Sequence, residues 1–142
     1  MRNKNFNASI FIFSQNQAGA CEVKLDESGR LHALDEPAVI YPELEEQWWV
    51  DGKLHRLDGP AIINSGGRAW FTDGELHRKD GPAVKCGFWR NGIIGGELIV
   101  CRSEFWYYGR MHRENGPAVL EIDGSHEYWI KGTCTRSVRA DE

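Results

Sequence analysis

Four histidines recur at one place in a repeated phrase: His32, His55, His77 and His112. Imidazole is the usual general base near neutral pH and a common metal ligand. Three of the four are followed directly by arginine, at Arg56, Arg78 and Arg113, a residue type that holds phosphate or carboxylate by charge-assisted hydrogen bonds. A catalytic group is needed once, whereas a group repeated in register is usually architecture. The histidines therefore read as a structural ladder. Each arginine reads as a clamp on the turn residue two positions on, Asp58, Asp80 or Asn115, with anion binding at Arg56, Arg78 and Arg113 as the alternative. There is no nucleophile elbow, P-loop or zincin helix. We assign no catalytic residue, no metal ligand and no cofactor. The carboxylates Glu43, Glu45 and Glu46 lie in a Pro-Glu-Leu-Glu-Glu stretch that reads as a solvated loop, able at most to meet a basic partner. Cys21, Cys86, Cys101 and Cys134 are far apart, without the close spacing of a zinc site or a disulfide scaffold. They are expected to be reduced thiols in an intracellular protein.

The elements that carry these residues follow from the repeat. Gly52-Lys-Leu-His-Arg-Leu-Asp-Gly-Pro-Ala61, Gly74-Glu-Leu-His-Arg-Lys-Asp-Gly-Pro-Ala83 and Gly109-Arg-Met-His-Arg-Glu-Asn-Gly-Pro-Ala118 match almost position for position. Gly29-Arg-Leu-His-Ala-Leu-Asp-Glu-Pro-Ala38 is a decayed copy. An aromatic pair precedes each turn glycine: Trp48-Trp49, Trp70-Phe71, Phe88-Trp89, Phe105-Trp106 and Tyr128-Trp129. Counting pairs predicts about five stacked hairpin units, one of them degenerate between Phe88 and Val100. Asp51-Gly52, Asp73-Gly74 and Asn91-Gly92 suit two-residue turns with positive φ at both positions. Folding about them pairs Val50 with Lys53, Trp49 with Leu54 and Trp48 with His55. Phe71 then faces Leu76, Trp70 faces His77, Trp106 faces Met111 and Phe105 faces His112.

Alternation sorts these residues onto two faces. Trp49, Phe71, Trp89, Trp106 and Trp129 with Leu54, Leu76, Ile94 and Met111 form an apolar face, expected to be the core. Trp48, Trp70, Phe88, Phe105 and Tyr128 with His55, His77 and His112 form an aromatic face with polar tips. That second face is the candidate partner-binding surface, since aromatics and arginine dominate binding hot spots. The competing reading covers it with an N-terminal hairpin, Ser9–Phe13 with Cys21–Leu25.

In 142 residues, 41 % hydrophobic and 27 % charged, there is one domain's worth of foldable chain rather than a disordered tail. Sixteen glycines and six tryptophans favour short strands over helices. A formal charge of −4 argues against non-specific nucleic-acid binding, which needs a basic footprint. Ile10-Phe11-Ile12-Phe13 is too short for a secretory or membrane segment and reads as a strand. The expected fold is all-β: tandem β-hairpin repeats in one curved antiparallel sheet. We divide it into a hairpin cap (1–27), repeats (28–134) and a polar tail (135–142).

The phrase aromatic-aromatic-x-x-Gly-x-Leu-His-Arg-x-Asp-Gly-Pro-Ala resembles a variant of the MORN repeat family, over roughly residues 28–134. Its His-Arg-x-Asp-Gly-Pro-Ala form is similar to proteins of bacteriophages and giant viruses. The resemblance implies a scaffold or protein binder, with a homodimer and a host protein complex as partners. It also implies residence in the host cytoplasm, and inhibition of a host defence would suit such a protein. The Pro-Ala and His-Arg elements depart from the MORN pattern, so a curled sheet or roll fits as well as a straight ribbon. The alternative function is a nucleotide sponge, with aromatics stacking the base and a repeat arginine holding the phosphate.

Overall fold

A computed structural model describes residues 8–13 and 20–141. Their chain order is strands throughout, with one 3-10 turn at Arg90–Gly92. The first strands are β1 (Ala8–Phe13), β2 (Ala20–Leu25), β3 (Val39–Tyr41) and β4 (Glu45–Gln47). Next come β5 (Trp49–Val50), β6 (Lys53–Leu54), β7 (Ile62–Asn64), β8 (Gly67–Ala69), β9 (Phe71–Thr72) and β10 (Glu75–Leu76). The rest are β11 (Val84–Trp89), β12 (Leu98–Glu104), β13 (Trp106–Tyr107), β14 (Arg110–Met111), β15 (Val119–Glu121), β16 (His126–Ile130) and β17 (Thr133–Val138). The protein is all-β and antiparallel, as the repeat predicts.

The large antiparallel sheet expected from sequence is present, and small hairpins stand outside it. Eleven strands form one open sheet, in the order β1-β2-β3-β4-β7-β8-β11-β12-β15-β16-β17. The pairs β5/β6, β9/β10 and β13/β14 are separate small hairpins. Each unit thus runs up and down the main sheet, crosses at an aromatic residue, makes a small hairpin and returns through Asp-Gly-Pro or Asn-Gly-Pro. The predicted pairings hold: Trp49 with Leu54, Val50 with Lys53, Phe71 with Leu76 and Trp106 with Met111. Asp51 and Asp73 carry φ of 50° and 48°, the left-handed geometry that a two-residue turn of this kind demands.

The hairpins stack into a column through main-chain bonds. The amide of Gly52 donates to the Leu31 carbonyl at 2.9 Å, Gly74 to Leu54 at 2.8 Å, Gly109 to Leu76 at 2.8 Å and Gly132 to Met111 at 2.9 Å. A second bond accompanies each: Ala33 to the Trp49 carbonyl, Arg56 to Phe71, Arg78 to Trp106 and Arg113 to Trp129, at 3.0 to 3.3 Å. No hairpin is stable alone in water, and these bonds supply the neighbour that each one needs.

The degenerate unit is not a unit. Trp89 pairs with Leu98 and Phe88 with Ile99, so Trp89 does not face Ile94. Asn91-Gly92, with φ of 57° and 70°, makes the positive-φ turn that the sequence predicts, but near the tip of a long hairpin, β11–β12, within the main sheet. Residues between Cys86 and Arg102 are therefore an insertion into the sheet half of a unit, whose ordinary strand positions are Val84–Cys86 and Arg102–Glu104. The hairpin column passes straight from β9/β10 to β13/β14 across it. The Phe88-Trp89 pair has the composition of the crossing aromatics without their place.

The core also differs from expectation. Trp49, Phe71, Trp106 and Trp129 are only half-buried, and of that set Trp89 alone is buried. The residues with essentially no exposure are the Pro-Ala alanines Ala38, Ala61, Ala83 and Ala118, together with Val119. Ala61 donates to Ala69 and accepts from Trp48, and Ala118 donates to Glu127 and accepts from Phe105. A separate cluster at the N-terminal end joins Cys21, Val23 and Val39, with Leu25, Leu31, Tyr41 and Trp49 packed against it. The hairpin β1/β2 extends the sheet beside β3 rather than lying over the Trp48 positions. At the other end β17 carries strand through Val138, so the segment read as tail from 135 is strand to that point. The stretch read as an acidic loop likewise holds strand: Glu45 and Glu46 lie on β4, and Glu45 accepts from Asn64 at 3.1 Å.

Candidate functional site

The aromatic-histidine face divides into two positions with different partners. At the crossing, Trp48, Trp70 and Phe105 lie beneath the arginines of their own units. The guanidinium carbons of Arg56, Arg78 and Arg113 sit 3.7, 3.9 and 4.0 Å from those ring centroids. Each arginine donates from Nη1 to the proline carbonyl four residues on: Pro60 and Pro82 at 3.1 Å, Pro117 at 3.0 Å. The proline carbonyl, not the turn carboxylate, is thus the common partner. Only Arg56 also binds its aspartate, Asp58, at 3.0 Å. The sequence displays the Arg-to-Asp spacing but hides which carbonyl the return loop turns inward. A stacked, bonded arginine of this kind contributes about 1–3 kcal/mol. An incoming anion or base would have to displace it from its ring. Burial of Arg78 beside Arg68 lowers its affinity for its proton, against the pull of Asp80. Trp48 Nε1 is buried without a hydrogen-bond partner.

The histidines point along the column instead. Nδ1 of His32 accepts the Asp51 amide at 3.0 Å, and Nδ1 of His55 accepts Asp73 at 3.0 Å. His77 accepts Tyr108 at 3.1 Å and His112 accepts Lys131 at 2.9 Å. Every donor is the first residue of the next hairpin's turn, with φ between 44° and 50°. That amide faces away from its own hairpin and needs an outside acceptor. Each imidazole therefore joins one unit to the next, with Nδ1 as an acceptor, as the ladder reading expects. The indoles take a third recurring partner that sequence reading missed. Trp49 Nε1 donates to Gln47 at 2.9 Å, Trp106 to Glu104 at 2.9 Å and Trp129 to Glu127 at 2.7 Å. The recurring polar residue two positions before each tryptophan was the available signal.

Where a unit departs from the rule, side chains reach solvent. Tyr107 and Tyr108 replace the usual residue and aspartate of the turn and are half exposed. Tyr108 stacks on His77 with centroids 3.8 Å apart, and Tyr107 meets both rings edge-on. Open clefts of about 560 and 670 Å³ separate successive return loops on either side of Arg78 and Lys79. The insertion carries Phe88, 57 % exposed, and Ile93, 62 % exposed, on the β11–β12 hairpin. Beside them Trp89 is held inward by its bond to the Asn64 carbonyl at 2.7 Å and by Arg68 over its ring at 4.8 Å. Of the predicted partner-binding residues, Phe88 is thus the one in open solvent. Trp48, Trp70, Phe105, Tyr128, His55, His77 and His112 are half-buried in intramolecular contacts.

Asp26, His32 and Asp51 bring three ligand-type atoms within 4.8 Å of one another. Their lone pairs are engaged: Asp26 accepts from Ser28, from the Arg30 amide at 3.0 Å and from Arg30 Nε at 2.8 Å, and His32 Nδ1 from Asp51. Burial opposes the Asp26 charge, but the bonds from Arg30 and Ser28 outweigh it and hold the carboxyl below its usual range. A cation would displace these bonds, so the cluster fits a turn cap better than a metal centre. All four cysteines are free thiols: Cys21 buried, Cys86 and Cys101 half-buried, Cys134 exposed. No helix among the described residues is long and apolar enough to cross a membrane.

Compared with protein-family models, curated proteins and solved structures, the chain matches none of them.

Proposed function

We propose that this chain is a non-enzymatic, protein-binding repeat module of MORN-like type. We take it to be phage- or virus-encoded and to engage a host protein complex in the cytoplasm. The observation that carries the reading is the exposed pair Phe88 and Ile93 on an insertion that the repeat column does not use. Solvated apolar side chains cost the free protein nothing in packing and give a partner roughly 1.5–3 kcal/mol each when fully covered. The repeated histidines and arginines already serve the fold, which leaves them a structural role.

The experiment is a quantitative pull-down from bacterial lysate with the wild type and with a Phe88→Ser, Ile93→Ser double variant. Melting temperatures are checked first, because both side chains are exposed and the variant should fold like the wild type. A stoichiometric complex that the double variant loses supports the reading. A clean lane, or a complex that both proteins retain equally, counts against it.

A further inference from the structure

The column contains five equivalent three-residue edges: Leu31-His32-Ala33, Leu54-His55-Arg56, Leu76-His77-Arg78, Met111-His112-Arg113 and Cys134-Thr135-Arg136. Equivalence of the fifth is set by place. Cys134 pairs with Trp129 as Leu54 pairs with Trp49, and Arg136 lies 5.6 Å over Tyr128 as Arg56 lies over Trp48. In the first four, the first residue's carbonyl accepts a glycine amide and the third residue's amide donates to an aromatic carbonyl. Those two partners stand three residues apart on one incoming antiparallel strand, as Phe71 and Gly74 do. In the fifth, Cys134 stands opposite Trp129 as Leu54 does opposite Trp49, which aims its amide and carbonyl away from β16, and a bulge at Thr135 then sets Arg136 opposite Tyr128. β17 is the last strand of the described sheet, and residues 133–137 are all exposed. Thr135 turns its hydroxyl to the Tyr128 carbonyl at 3.3 Å, so the side-chain acceptor that histidine offers elsewhere is withdrawn.

We propose that the β17 edge is a strand-addition site for an extended acidic segment of a partner protein. Unpaired main-chain groups on an edge strand are a template for another strand. The charge decides which. Lys131 and Arg136 are exposed along this edge, with Arg110 and Arg139 exposed nearby, on a chain whose net charge is −4. A second copy of β17 would set these cations against themselves, whereas a strand bearing Glu or Asp at alternate positions meets them with opposite charge. The site is separate from the Phe88 and Ile93 tip and does not depend on it.

The test uses a fluorescein-labelled peptide, Thr-Glu-Val-Glu-Thr-Glu-Val, and a counterpart with Lys for each Glu. Anisotropy should show saturable binding of the acidic peptide and none of the basic one. Cys134→Pro removes an outward amide without breaking a bond to β16 and should weaken binding at least tenfold. Arg136→Glu should do the same through charge, which keeps the test valid if the proline variant misfolds. Phe88→Ser should bind like the wild type. Amide exchange on the complex should slow at Cys134. Binding that survives both edge variants overturns the proposal, as does no binding of the acidic peptide. Self-association abolished by Cys134→Pro also overturns it, since a second copy would then occupy the edge.

Discussion

The joint at His77 makes stability depend on pH in a direction that can be worked out. Its Nδ1 accepts the Tyr108 amide at 3.1 Å, and its ring stacks on Tyr108 at 3.8 Å. Burial pushes its affinity for a proton below that of an ordinary histidine, with Glu75 opposing. In the unfolded chain the group titrates near 6.5, the ordinary value for histidine. Between the depressed folded value and 6.5 the unfolded state binds more protons, so stability is present above that window and is lost as pH falls through it. If folded His77 stayed neutral at pH 5.0, the loss would reach a ceiling of about 2 kcal/mol. The ring is partly open to water, which screens it, so about 1 kcal/mol is expected. At His32 and His55 the turn residue also brings a carboxylate, that of Asp51 or Asp73, to 3.3 and 3.4 Å from Nδ1. Tyr108 offers no such group. The assay is urea unfolding of wild type and His77→Phe at pH 7.5 and 5.0. Phenylalanine keeps the stack but loses the acceptor, which costs about 1 kcal/mol at pH 7.5. The drop in stability on going to pH 5.0 should then be smaller in the variant by about 1 kcal/mol. An identical drop in both proteins would refute the argument that this imidazole must stay neutral.

Two other substitutions test the packing account. A Cβ at Gly67, where φ is +134°, would stand 1.9 Å from the Lys85 carbonyl oxygen, so Gly67→Ala should part β8 from β11 and cost about 3–5 kcal/mol. At Gly124 φ is +93° with nothing within 4 Å, so Gly124→Ala should cost only about 1 kcal/mol, and equal losses in thermal unfolding would contradict the difference. Arg113→Met keeps an apolar stem over Phe105 but loses the bond to the Pro117 carbonyl, and should lower stability by about 1.5–3 kcal/mol in urea titrations. A loss well below 1 kcal/mol would return the repeat arginines to the anion-binding reading.

Much of the local structure was legible because short-range chemistry decides it. Asp-Gly turns need positive φ at both positions, so the register of β5/β6 and β9/β10 followed from two residues each. The repeat likewise marked the histidines as a ladder. The partners of the arginines, and the alanines as the buried spine, were not legible, because each depends on where the return loop brings its backbone. The exposed apolar tip was misread for a related reason. Phe88-Trp89 before Asn91-Gly92 satisfies the local pattern of a unit, but pairing with Leu98 and Ile99 extends the hairpin past that turn.

The sequence alone determined the all-β class, the turns and the phase of the repeat, since each rests on backbone angles and alternation within a few residues. Only the tertiary structure decided that the units divide between a sheet and a column, and which aromatics the arginines cover. It also decided that β17 presents the one vacant edge of the five among the described residues. The column is held by hydrogen bonds between segments fifteen or more residues apart, and the arginines settle where the return loop turns a carbonyl inward, neither of which local spacing encodes.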